Sequence, residues 1–163
     1  MAALVAVTTF LVQVPIPATK GYLDFGDIMI FVGALTFGPI VGGFAGGVGS
    51  AISDVASGYV YFSPFTLIIK GAEGLIAGLI ANRLSRKRDI IAVGFAGAEM
   101  VTGYFLAEFF GLSEGWAALG EVPFNILQIT AGGIIGIPVA IILLKRLPEA
   151  WRNHSMRQKV ATA

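Results

Sequence analysis

The sequence predicts an all-helical integral membrane protein, a bundle of six transmembrane helices, and three observations carry that prediction. Hydrophobic residues make up 56% of the 163 residues and charged residues only 13%, about half the charged share of a soluble domain. The mean hydropathy is +0.82. The apolar residues form continuous runs, not the roughly ten-residue alternating segments of a membrane β-barrel. The absence of cysteine excludes disulfides and thiolate metal sites, and the 22 glycines suit close helix packing in lipid.

Residues 1–14 are apolar and read as a first helix. At 1.5 Å per residue it reaches about 21 Å, short of a hydrocarbon core of roughly 30 Å. It starts without the basic flank of a signal peptide, so a trimmed N-terminus is the expectation. The segment PIPATKGYLDFG, from Pro15 to Gly26, has two prolines and two glycines and must be a loop. Its Lys20, Tyr22, Asp24 and Phe25 suit either an interfacial turn with aromatic anchors or a lid over a ligand.

Asp27 is placed to cap a second helix, 27–37, which Gly38-Pro39 ends. In the third helix, 39–58, Gly38, Gly42 and Gly46 recur every fourth residue, as do Gly43 and Gly47. That spacing signals helix packing, whereas GVGS is no phosphate loop, because no strand precedes it and no lysine follows. Asp54 is expected to be tied to the hydroxyls of Ser50, Ser53 and Ser57 or to backbone donors. Tyr59, Tyr61 and Phe62 then form an aromatic turn suited to the interface.

The fourth helix, 64–83, carries Lys70 and Glu73 inside its apolar run. A charge near the centre of a membrane helix costs about 3 kcal/mol on insertion scales, so it requires a partner, water or a function. Three residues apart on one helix face, the two can pair. The fifth helix, 89–112, bears Glu99, Tyr104 and Glu108, and the sixth, 121–145, bears Asn125, Gln128 and Thr130. A basic tail, 146–163, follows.

Nine of the eleven basic residues lie in two clusters, Arg83, Arg86, Lys87 and Arg88 after the fourth helix and Lys145, Arg146, Arg152, Arg157 and Lys159 at the end. Six spans with both termini in the cytoplasm put both clusters inside, as the positive-inside rule requires, whereas five would separate them. That topology sets depths below the outer surface: about 9 Å for Lys70, 13 Å for Glu73, 7–12 Å for Asn125 and Gln128, 6 Å for Glu108, 12 Å for Tyr104 and 20 Å for Glu99. Polar side chains from three helices thus meet in the outer half of the membrane, while the inner halves are nearly bare. Such asymmetry describes a pocket rather than a pore, which needs polar lining along its whole length. Singly, each residue suits an interhelical bond; jointly, Lys70, Glu73, Glu99, Tyr104, Asn125 and Gln128, with Tyr22 and Asp24 above, suit a polar aromatic heterocycle.

Read together, the stretches Tyr22-Leu23-Asp24-Phe25-Gly26-Asp27, Leu35-Thr36-Phe37-Gly38-Pro39, Gly49-Ser50, Ser53-Asp54, Gly58, Pro64-Phe65-Thr66, Ile69-Lys70-Gly71 and Glu73-Gly74 are ordered and spaced in a way that resembles the substrate-binding S components of energy-coupling factor (ECF) vitamin transporters, particularly the riboflavin-type group. The resemblance spans nearly the whole chain. It implies one six-helix domain over 1–163 in the cell membrane that captures a vitamin outside and associates with a membrane coupling protein and two cytoplasmic ATPases. It also implies a docking motif, A-x-x-x-A, on the first helix, matched by Ala2 and Ala6. The first loop and helices four to six would line the ligand site.

No Walker motif is present, so ATP hydrolysis is expected only in partner subunits, and no cofactor is expected. An intramembrane enzyme is disfavoured: the single histidine, His154, is in the tail, H-E-x-x-H is absent, and Ser53 rather than glycine precedes Asp54. A stand-alone ion-coupled transporter, with Glu99 or Asp54 carrying a proton, is the alternative, but such proteins are built on inverted repeats and none is visible. Two acids and one base argue for a neutral or mildly cationic ligand, and riboflavin, hydroxymethylpyrimidine or a B6 vitamer all fit.

Overall fold

The computed structural model describes residues 1–16, 21–82, 85–113 and 115–147. The Lys20 and Arg83 positions and the basic tail from residue 148 on lie outside the described residues. Six α-helices follow in order: α1 (Ala2–Leu11), α2 (Gly26–Phe37), α3 (Pro39–Ala56), α4 (Ser63–Ile80), α5 (Arg86–Leu106) and α6 (Val122–Arg146). The first helix stops before residue 14, because Val14–Pro15 (β1) leaves the helix and pairs antiparallel with Tyr22–Leu23 (β2). A π-helical turn, Ala107–Gly111, extends α5, and a 3-10 segment, Gly115–Gly120, leads into α6.

Among the described residues three stretches are long and apolar enough to cross a membrane: α4, α5 with its π turn, and α6 with the 3-10 segment before it. The α1 and α2 helices are apolar but shorter, about 15 and 18 Å long. The surface is inverted relative to a soluble protein. Ile40 and Phe44 on α3, Ile68 on α4, Phe95 on α5 and Ile134 on α6 are all exposed, whereas Asp27, Lys70, Glu73 and Glu108 are buried. In water such a surface would associate; in lipid it is the correct solvent-facing side.

The interior divides into a dry end and a polar end. Phe31, Ala34 and Leu35 of α2 pack with Ala77 of α4, Ala92, Val93 and Ala96 of α5 and Ala140 of α6 in the largest apolar cluster. The other ends of the same helices carry the polar residues. The α3–α4 contact is the most extensive in the bundle, and glycine creates it. A Cβ on Gly42 would come within 2.7 Å of the Gly74 carbonyl oxygen, and one on Gly74 within 2.2 Å of the Gly42 oxygen. Gly47 meets the Leu67 carbonyl and Gly78 meets Pro39 in the same way, so two antiparallel helices touch backbone to backbone, as small-residue spacing allows.

Candidate functional site

The first loop is stitched to the bundle by its own side chains. The Tyr22 hydroxyl donates to an Asp54 carboxylate oxygen on α3, and its ring lies 4.7 Å from that of Tyr59. The Asp24 Oδ1 accepts from the Gly26 amide at 2.6 Å, which turns the chain into α2 by a local side-chain-to-backbone bond. The Asp24 amide donates to Gln128 Oε1 at 3.1 Å, and Gln128 Nε2 donates back to Asp24 Oδ2 at 3.3 Å. Two residues of one loop thus fasten it to α3 on one side and α6 on the other.

The electrostatics follow from burial. Desolvation, and then the charge of Asp54, push the Tyr22 hydroxyl well above its ordinary value, so it remains the proton donor of the pair. Asp24 is pushed up to about 7, chiefly by burial, with the positive charge of Lys70 opposing.

Beneath the loop lies a buried charge cluster. The Lys70 ammonium forms ion pairs with Asp27 of α2 and, at 3.3 Å, with Glu73 one helical turn on. It also stands 5.7 Å from the centroid of the Tyr104 ring, whose hydroxyl lies 3.1 Å from the Thr66 Oγ1. The expected cap at Asp27 is corrected here. Phe25 occupies the capping position, no side chain caps the helix, and Asp27 sits inside the first turn of α2 with its carboxylate turned to Lys70. A carboxylate buried in an apolar bundle is held better by an ammonium than by amides it shares with a helix start.

A small cavity lies between loop and cluster, its open space amounting to about 390 Å³ with the solvent outside its mouth included. Its lining includes Tyr22, Asp24, Lys70, Tyr104, Asn125 and Gln128, six of the residues singled out in the sequence. Glu73 stands behind Lys70, fully buried and off the lining, and Glu99 is only half-buried on α5 and also off it. Glu108 is buried on the π turn, away from the cavity wall. Ala2 packs with the Val5, Ile30 and Ala45 cluster and Ala6 is half-buried, while Leu4, Val7, Phe10 and Leu11 form the exposed face of α1.

The opposite wall was not foreseen. Thr9 of α1, Ser50 and Asp54 of α3, Thr66 of α4 and Glu121 at the start of α6 also line the cavity. Among them Thr9 Oγ1, Ser50 Oγ and Asp54 Oδ2 are buried without a hydrogen-bond partner, the condition of groups that await water or a ligand. The expected tie between Asp54 and its neighbouring hydroxyls is also corrected. The hydroxyls of Ser50, Ser53 and Ser57 make no hydrogen bond, and Asp54 is held from outside its helix, by Tyr22.

The geometry suits reversible binding of a small polar ring: amides at Asn125 and Gln128, carboxylates at Asp24, Asp54 and Glu121, and aromatic faces at Tyr22, Phe62 and Tyr104. Comparison with known proteins gives three findings. The family described as ECF-type riboflavin transporter, S component, matches residues 1–145. An uncharacterised protein of Pyrococcus woesei is 46% identical over 144 residues, 88% of this chain and 96% of its own. The thiamine precursor transporter HmpT of Lactococcus lactis subsp. cremoris (strain MG1363) is 30% identical over 123 residues, 74% of this chain and 69% of its own.

Proposed function

The chain belongs to the family of ECF-type riboflavin transporter S components, and on that premise we propose that it captures a small vitamin or vitamin precursor in the cavity under its first loop. The bundle passes the cell membrane six times with both termini in the cytoplasm, so that the cavity opens in the outer half. It delivers its ligand through a membrane coupling protein driven by two cytoplasmic ATPases, for the chain has no nucleotide motif of its own.

The observation that carries this reading is the cavity's charge balance. Its lining holds the carboxylates of Asp24, Asp54 and Glu121 against a single ammonium, Lys70. That ammonium is already paired with two further carboxylates. A neutral or mildly basic heterocycle bearing hydroxyl or amino groups is the ligand such a wall favours, since its donors meet carboxylates and its ring meets tyrosines. The relationship to a thiamine precursor transporter supports a pyrimidine over the larger flavin as first candidate, with a B6 vitamer next.

The test is thermal stabilisation of the purified protein by riboflavin, a hydroxymethylpyrimidine, a thiazole and pyridoxine, with mass spectrometry of whatever copurifies. A rise in melting temperature with one of these is the expected result. No shift with any of them, and no small molecule carried through purification, would overturn the proposal.

A further inference from the structure

We propose that Asp27 sets the charge selectivity of the cavity. By holding the Lys70 ammonium it withholds the one available cation from the ligand, so the site accepts a vitamin alcohol and rejects its phosphate monoester. This rests on the cavity being the vitamin site and goes further by naming what is excluded and the residue responsible.

Lys70 lines the cavity, whereas Asp27 and Glu73 lie behind it. Asp27 is fully buried, and α6 closes on it so tightly that a Cβ on Gly132 would stand 3.0 Å from the Asp27 Cβ. The Asp27 Cβ therefore has a fixed place in the α2–α6 contact, with its carboxylate against the Lys70 ammonium. No other lysine or arginine among the described residues lines the cavity.

Helix N-termini are the usual second resource for anions; of the three whose starts reach the cavity, two have an acidic residue beside them, while α4 begins at Phe62 with no acid in its first turn. The Gly26 amide at the start of α2 donates to Asp24 at 2.6 Å, and Glu121 itself stands at the capping position of α6. A phosphate dianion would thus enter a wall of three carboxyl groups, Asp24 ionising fully only above about pH 7, and find one ammonium that two further carboxylates already engage. Like charges in a water-poor site repel strongly, so the ester is excluded while the alcohol is not.

The test uses the full chain in lipid nanodiscs and calorimetric titration with two probe pairs: 4-amino-5-hydroxymethyl-2-methylpyrimidine and its phosphate monoester, and riboflavin and its phosphate monoester. The wild-type protein should bind the ester at least about tenfold more weakly than the alcohol of whichever pair it accepts. Asp27→Asn frees Lys70 for one charge-assisted contact and should narrow that gap about tenfold or more, and the double variant Asp27→Asn/Lys70→Gln should reopen it. Binding of alcohol and ester within threefold by the wild-type protein overturns the proposal, as does an unchanged gap in an Asp27→Asn protein that still binds the alcohol. Should Asp27→Asn fail to fold, Asp27→Ser removes the same carboxylate from Lys70, and an unchanged gap in an Asp27→Ser protein that still binds the alcohol is equally fatal. Should neither alcohol bind, pyridoxine and a thiazole alcohol with their phosphate monoesters take their place, and failure of the wild-type protein to bind any of these alcohols overturns the assignment of the cavity as a vitamin site, and this inference with it.

Discussion

The Tyr22 hydroxyl donates its proton to Asp54, 32 residues further along the chain, and so straps the first loop to α3 across the mouth of the cavity. The acceptor is buried, and one such hydrogen bond contributes about 0.5–1.5 kcal/mol. Tyr22→Phe keeps the ring on Tyr59 and removes only the hydroxyl. Ligand should then leave up to about tenfold faster, with the association rate little changed. Dissociation of radiolabelled ligand measures this, and equal release from both proteins would mean that the strap has no hold on the ligand.

Gln128 makes both of the bonds that tie Asp24 to α6. Gln128→Leu leaves a buried carboxylate and a backbone amide short of partners, a loss of about 2–4 kcal/mol. Affinity should fall by about tenfold or more and the melting temperature of the ligand-free protein should drop. A variant with wild-type affinity would exclude Gln128 from the site.

Asp24 also gives the loop a pH dependence whose sign is fixed. Burial raises its folded value to about 7 from an ordinary 3.8, so between those values the folded protein holds more proton than the unfolded one. Stability from this group is therefore full below about pH 4 and declines as pH rises toward 7. The melting temperature should fall from pH 5 to pH 8 by more in the wild-type protein than in Asp24→Asn, and parallel pH profiles would refute the assignment.

The α3–α4 seam predicts a sharp contrast between glycines. Gly74→Ala forces a methyl group to within 2.2 Å of the Gly42 carbonyl oxygen and should cost about 1–3 kcal/mol of stability. On Gly94 of α5 a Cβ meets nothing within 4 Å, so Gly94→Ala should be neutral or slightly stabilising. Thermal unfolding of both in one detergent checks the pair, and equal melting temperatures would contradict the seam.

What the sequence disclosed, and what it hid, has a physical pattern. Lys70 and Glu73 were legible because charge inside an apolar run is costly and because a three-residue separation puts two side chains on one helix face. Asn125 and Gln128, which line the cavity, stood out as polar side chains in an apolar helix, and the seam as glycines spaced by four. Asp27 was hidden because an acid in a helix's first turn already has a common local explanation, while its true partner is 43 residues away. Thr9 was hidden for a related reason. Threonine in an apolar helix ordinarily bonds back to its own turn, as Thr8 does to the Leu4 carbonyl at 2.8 Å, and nothing in the sequence marks its neighbour as unbonded. The two-residue strands that shape the loop are too short to leave any alternation.

The glycine seam reaches further than packing. A Cβ on Gly46 would stand 2.4 Å from the carbonyl oxygen of Lys70 itself, so the residue at the cavity floor is located by the same backbone contact that joins α3 to α4. The helix seam and the cavity wall thus share a residue, Lys70, through its backbone oxygen on one side and its ammonium on the other. On the proposed function, ligand affinity should therefore track how well α3 and α4 sit together.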